Sequence, residues 1–315
     1  MKKELFVSDI KSSIGFVGET SLLVVEKDEK QTKNGKPYLI LKLRDSSGDI
    51  SAKVWSDALG SVGDVGVGDV SLVTFEVGEY QNKADLTVLK MTKLTEYDEE
   101  DFRLKRDDID FRKLESDLSK WVDGVRDFSL QKLLRSFFDD KDFYKLYSTY
   151  PAGERTHHTY RHGLLQHSIE VVTIAEGMFE LHPDMHRDLI ITGGLLHDIG
   201  KLYEYSQDDL GVIGWTVEGR MYGHVVLSWL EIQKRISSEM SMDITNRLAN
   251  LILSHQGKLE YGSPVVPRTR ESLVLSLADK ASMDLDIARS MYKEAVEGED
   301  FTEYNRYLGT DLYIG

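Results

Sequence analysis

The chain contains no cysteine. Disulfides are therefore excluded, and any metal must be held by nitrogen and oxygen ligands. It has no apolar run of the roughly 18 residues that a transmembrane helix requires. The N-terminal MKKELFVSDIKSS has a basic start but no apolar stretch behind it, so it does not read as a signal peptide. These absences fit a cytoplasmic protein with no membrane partner. No internal repeat and no low-complexity tract is visible. Histidine is missing from the first 156 residues, and all nine histidines lie between His157 and His255. That asymmetry separates an expected chemical half from an expected binding half.

What is present fits two domains. The 315 residues, 41% of them hydrophobic, are enough for two cores. Net charge is −15. Residues 1–95 hold 13 Lys and Arg against 14 Asp and Glu, and the remainder holds 26 against 40, so −14 of the charge lies after residue 95. Such acidity argues against a general nucleic-acid coat protein. It leaves the near-neutral first segment as the place for a local basic patch.

The first 95 residues read as all-β. Tyr38–Asp45 ends in the apolar/polar alternation of a half-buried strand and follows the tight-turn pair Asn34-Gly35. Ser46-Ser47-Gly48 turns the chain into a paired strand, Ile50–Trp55. Further strands are expected at Val70–Val77 and Asp85–Leu94, joined by a polar turn around Tyr80–Lys83. Short strands over such a length suit a small barrel, with the OB-fold leading. A charged linker is expected over 96–112. From 113 to 315 the pattern is all-α, with helices near 163–181, 187–198, 222–236, 244–255 and 271–294.

The helical half carries a metal pattern. His197-Asp198 lies in GGLLHDIGK, where a helix ends before Gly200. His167 lies on a helix whose Leu164, Val171 and Ala175 face a core. His224 opens a helix after Gly223, and His255 ends one before Gly257. Asp279 sits among apolar residues in LVLSLADKA, where a carboxylate is costly unless paired or metal-bound. A lone histidine is more often a cap or a core residue. The ordered set H…HD…H…H…D is what carries the metal reading, and helices packed round a common centre would bring it together.

That order resembles the HD-domain superfamily of metal-dependent phosphohydrolases. The strings HHTYRHGLLQH, GGLLHDIGK, TVEGRMYGHV and LSHQGKLEYGSP further resemble the YhaM-type 3′-5′ exoribonucleases, which join an N-terminal OB-fold to a C-terminal HD domain. The resemblance covers nearly the whole chain. It implies His167, His197, Asp198 and Asp279 as core ligands, with His224 and His255 as the extra histidines that admit a second metal. Gln256 departs from the pattern, standing where a second histidine is common, and so does Arg161-His162, where small residues are favoured.

Two divalent ions are expected, manganese first, with iron, cobalt, zinc or magnesium as alternatives. Such a pair holds an activated hydroxide and clamps a phosphate. Asp198 is the expected bridging carboxylate, and Lys201 the expected partner of a phosphate oxygen. His157, His158, Lys258, Glu260 and Tyr261 are expected substrate contacts. On the barrel, Tyr38, Lys42, Arg44 and Trp55 are expected to hold a single strand by stacking and charge. The implied activity is release of nucleoside 5′-monophosphates from single-stranded RNA, with single-stranded DNA as a second substrate. The alternatives are an HD phosphohydrolase for dNTPs or cyclic dinucleotides, and a non-catalytic nucleic-acid-binding adaptor. A homo-oligomer is expected from fold habit alone.

Overall fold

The structure, a computed structural model, describes residues 3–80, 83–104, 106, 108–154, 156–295 and 298–315. It divides into two compact units: Met1–Asp107 with Gln207–Ile213, and Asp108–Ser206 with Gly214–Gly315. Among the described residues no helix is long and apolar enough to cross a membrane.

The first unit is built on a closed five-stranded barrel, β1 (Val17–Gln31), β2 (Pro37–Asp45), β3 (Gly48–Val54), β4 (Val70–Tyr80) and β5 (Lys83–Lys93), in the order β1-β2-β3-β5-β4. All pairings are antiparallel except β3 with β5, where Ser51, Ala52 and Lys53 run beside Asp85, Leu86 and Thr87. This is the Greek-key barrel of the OB-fold. Alternate residues fill it: Leu41 and Leu43 of β2, Ile50, Ala52 and Val54 of β3, Val73, Phe75 and Val77 of β4. The expected turn around Tyr80–Lys83 falls partly outside the described residues. The strand β1, which sequence periodicity does not reveal, shifts register between Val24 and Glu26. That bulge lets one long strand pair with β4 at its start and β2 at its end.

A short helix, α1 (Val7–Ile10), sets Val7 and Ile10 against the barrel core. It is tied down by Asp45, which is fully buried. Asp45 Oδ2 accepts from Val7 N at 2.8 Å and faces Lys3 Nζ at 3.2 Å, while Oδ1 accepts from Ser47 N at 2.9 Å and Ser47 Oγ at 2.7 Å. Burial lowers the Lys3 ammonium from its ordinary range, against the pull of Asp45. Removing one partner of a buried pair leaves the other charge uncompensated. Asp45→Ala is therefore expected to destabilise the barrel by about 3–5 kcal/mol, measured by urea unfolding followed through the tryptophans. A loss below about 1 kcal/mol, the range of an exposed pair, would contradict this account.

Residues in the expected linker belong partly to the barrel unit. Glu99–Asp101 form a 3-10 turn, and Phe102 is buried in a cluster with Leu23, Val70, Leu210 and Val212. The apolar Phe102 inside a charged run is the reason this stretch docks.

The second unit is helical: α2 (Phe111–Asp123), α3 (Phe128–Phe138), α4 (Lys141–Thr149), α5 (Gly163–Leu181), α6 (Arg187–Leu196), α7 (Lys201–Glu204), α8 (Val217–Arg235), α9 (Met242–Leu253) and α10 (Arg270–Lys293). Two short strands, β6 (Tyr205–Gln207) and β7 (Ile213–Trp215), pair between α7 and α8. The central element is α6, buried along its length from Asp188 to Leu196, as an all-round apolar helix must be. It packs on α5, α9 and α10. Gly194 allows the close approach to α5: a Cβ there would lie 2.6 Å from Val172 Cγ2.

Candidate metal centre

The six expected ligands converge within the helical unit. His167 points into the core from the buried face of α5. His197 and Asp198 follow the end of α6. His224 begins the second half of α8, just after Gly223 breaks the helix at φ 70° and ψ 157°. His255 lies beyond the end of α9, and Asp279 in the body of α10. His167, His197, Asp198 and His255 are at most 3% exposed.

These side chains form two groups, His167 with His197 and Asp279, and Asp198 with His224 and His255, each with ligand atoms within 4.8 Å of one another. Asp198 faces both. Its Oδ2 lies 3.6 Å from His167 Nε2 and 3.4 Å from His197 Nε2, and its Oδ1 lies 3.6 Å from His224 Nε2 and 3.5 Å from His255 Nε2. Asp279 Oδ1 is 3.1 Å from His167 Nε2 and 3.8 Å from His197 Nε2.

The donor set fits divalent cations on evidence internal to the fold. The Nδ1 atoms of His197 and His255 bond backbone carbonyls, of Gly194 at 2.9 Å and Ile252 at 2.7 Å. A carbonyl only accepts, so both Nδ1 atoms carry the proton and both Nε2 atoms present lone pairs to the centre. His167 Nδ1 contacts Ser282 Oγ at 3.0 Å, and its Nε2 meets His197 Nε2 at 3.2 Å. Nitrogen lone pairs brought that close repel unless a proton or a cation lies between them. Asp198 Oδ1 is buried with no hydrogen-bond partner among the described residues. An acceptor so placed is costly unless a cation or a bound water satisfies it.

The electrostatics agree. Burial alone would raise the Asp198 carboxyl, but Lys201 and His197 around it hold it well below the usual carboxylate range. The same opposition, with His167 as the main partner, lowers Asp279. Burial pushes the His167 imidazole down to about 4, keeping it neutral at ordinary pH as a ligand must be. His197 runs the other way: Asp198 and Asp279 outweigh its burial and raise it.

Other expected site residues are distributed unevenly. Lys201 is 5% exposed, with Nζ 2.6 Å from Asp198 Oδ2. The His157 ring lies 5.1 Å from the His167 ring, and its Nε2 is buried with no hydrogen-bond partner among the described residues. His158 is not placed to meet a substrate: it is 1% exposed, gives Nε2 to Glu170 at 3.0 Å, and anchors its backbone N on Asp286 at 2.6 Å. Lys258 and Glu260 are exposed and lie 3.3 Å apart, with Lys258 over the Tyr261 ring. Gln256, where a second histidine was expected of the family, brings Nε2 to 3.1 Å from His224 Nε2.

On the barrel, Tyr38 and Trp55 stack with centroids 5.2 Å apart. Arg44 is a correction. It is buried, and its guanidinium is engaged by Asp49 through Nε at 2.6 Å and Nη2 at 3.0 Å. Lys42 also turns to Asp49, at 3.1 Å. Asp49 faces Arg44 across the β2–β3 ladder, so the hairpin neutralises its own cations.

Three side chains at the centre escape sequence reasoning: Glu204, whose carboxylate bonds His224 Nδ1, Ser282, which bonds His167 Nδ1, and Glu170, which accepts from Ser282. Their spacing from the ligands they touch carries no motif. The one available signal is Glu204 itself, an acidic residue soon after the HD pair.

The HD domain family model matches residues 164–284. A protein of Oceanobacillus iheyensis named 3′-5′ exoribonuclease YhaM is 32% identical over 92% of this chain and 91% of its own length. Its namesake in Bacillus subtilis is 30% identical, over 90% of this chain and 88% of its own. Among solved structures, the OB domain of a Methanosarcina mazei protein aligns at 22% identity and a TM-score of 0.27, over 34% of this chain and 97% of that one. The chain belongs to the YhaM-type 3′-5′ exoribonuclease family, with an OB barrel and a helical HD domain.

Proposed function

We propose that the protein is a metal-dependent 3′-5′ exoribonuclease that shortens single-stranded RNA to nucleoside 5′-monophosphates and acts on single-stranded DNA as a second substrate. The observation that carries this reading is Asp198, whose two oxygens face separate ligand groups. The direction of attack and the substrate class come from the relatives' names.

In this reading His167, His197 and Asp279 would hold one divalent ion, His224 and His255 would hold the other, and Asp198 would serve both groups. Manganese is the first choice, since imidazole and carboxylate donors without thiolate suit it. Such a pair, when bound, supplies Lewis acidity toward a phosphodiester and a nucleophile available at neutral pH. Lys201 offsets the charge of the buried carboxylates and offers ammonium donors to a non-bridging phosphate oxygen. His157, with its free Nε2 beside His167, meets the 3′-terminal nucleotide. The barrel unit grips the strand by base stacking on Tyr38 and Trp55. Its cations contribute less than their number suggests, because Lys42 and Arg44 already serve Asp49.

The test is incubation of 5′-labelled single-stranded RNA and DNA with the protein and each of several divalent metals. Stepwise shortening from the 3′ end, strongest with Mn²⁺ and abolished by EDTA, is expected. Labelled RNA that stays intact with Mn²⁺ while a dNTP or cyclic dinucleotide is hydrolysed would overturn the proposal.

A further inference from the structure

The imidazoles of the centre are not backed alike. His197 and His255 lean on backbone carbonyls, which are neutral acceptors. The other two lean on carboxylates, the buried Glu204 and the part-exposed Glu170. His224 Nδ1 lies 3.1 Å from both Glu204 oxygens. His167 Nδ1 lies 3.0 Å from Ser282 Oγ, which in turn lies 2.9 Å from Glu170 Oε2. Serine has one hydroxyl proton. Donated to the Glu170 carboxylate, it leaves Ser282 Oγ to accept from His167 Nδ1–H. Both imidazoles are thus held with Nε2 as the lone pair.

Glu204 is built in firmly. It is 3% exposed, and its Oε1 also accepts from His224 N at 2.9 Å, capping the helix where it restarts after Gly223. Its backbone oxygen accepts from Thr216 N and Thr216 Oγ1, both at 3.1 Å. A Cβ on Gly219 would come within 2.1 Å of that oxygen, so α8 is seated directly on it. Glu170 is held by Gln166 Nε2 at 2.7 Å and by His158 Nε2 at 3.0 Å. The buried His158 thereby orients Glu170.

We infer that Glu204 and Glu170 are positioning residues that divide metal affinity between the two ligand groups, Glu204 acting on His224 and Glu170, through Ser282, on His167. Each fixes the tautomer and orientation of one imidazole and makes it a more basic ligand. The inference rests on reading the two groups as metal ligands. Loss of such a backing residue typically weakens metal binding by roughly 10–100-fold.

The test is Mn²⁺ binding to the full chain by calorimetry and equilibrium dialysis, with the histidine tautomers of the metal-free protein read by long-range ¹⁵N NMR. The wild type is expected to bind two ions and to show His224 and His167 with the proton on Nδ1. Glu204→Ala is expected to weaken one ion toward the upper end of that range and to leave the other unchanged. Glu204→Gln keeps a neutral acceptor in place and is expected near the lower end. Glu170→Gln and Ser282→Ala are expected to weaken the other ion instead. The double variant Glu204→Gln/Glu170→Gln should then lose affinity for both. Wild-type binding of both ions in Glu204→Ala and Glu204→Gln would overturn the inference, as would a wild-type His224 protonated on Nε2. If Glu204→Ala does not fold, Glu204→Gln and the wild-type tautomer decide. A wild type that binds no ion would overturn the metal reading itself, a result distinct from unchanged binding in the variants.

Discussion

Asp198→Ala is expected to lower nuclease turnover by on the order of 10³-fold or more, above the roughly 10–100-fold typical of residues that only back a ligand. It is expected to reduce bound Mn²⁺ as well. No other residue of the centre faces both ligand groups through separate oxygens. Without it, the first group keeps His167, His197 and Asp279, whereas the second keeps only two imidazoles. The second ion should therefore be lost first. Lys201 would also lose the carboxylate oxygen at 2.6 Å that now offsets its charge. Asp198→Asn keeps the shape without the charge and controls for packing; it should bind metal better than Asp198→Ala yet remain strongly impaired. Equal metal content and equal turnover in wild type and Asp198→Ala would remove Asp198 from the centre.

The second large effect is on the frame. A Cβ added at Gly200 would lie 2.0 Å from His224 O and 2.5 Å from Ser228 N. Both are backbone atoms of α8, so no side chain can swing away. Gly200 N also donates to Ser228 Oγ at 2.8 Å, locking the same contact. Overpacking typically costs about 1–3 kcal/mol and more where the neighbour cannot yield. Gly200→Ala is expected at or above the top of that range. It should also reduce turnover in the protein that still folds, because the displaced helix carries His224 away from Asp198. Gly177, on the exposed side of α5, is the control. A Cβ there meets nothing within 4 Å, so Gly177→Ala should stabilise by about 0.5–1 kcal/mol through its helical backbone. Thermal unfolding of the two variants beside the wild type decides. Equal midpoints for both would contradict the close contact of α7 and α8.

The proposed ligands were legible in the sequence through their order, H…HD…H…H…D, and through the family that order resembles. Asp279 among apolar residues adds to that signal, whereas each histidine taken alone reads as a cap or a core residue. Their backing was not legible. Glu204 reaches His224 across 20 residues, and Ser282 reaches His167 across 115. Such pairs exist only once the helices pack. The barrel shows the same limit. Alternation along β2 separated Leu41 and Leu43 from Lys42 as expected. The fate of Arg44 depended on which residue faced it, and the β2–β3 register sets Asp49 there. The strand β1 was hidden because its second half, Glu26–Gln31, is polar throughout and its bulge interrupts the period of two. The buried Phe102 was hidden for the opposite reason, an apolar residue set within a charged run.

The central claim is that the six side chains hold two ions with Asp198 between them. Anomalous diffraction from crystals grown with Mn²⁺ tests it most directly. Two peaks are expected, one among His167, His197 and Asp279 and one between His224 and His255, with Asp198 reaching both. A single ion lying outside these groups, or two ions with Asp198 bound to neither, would contradict it.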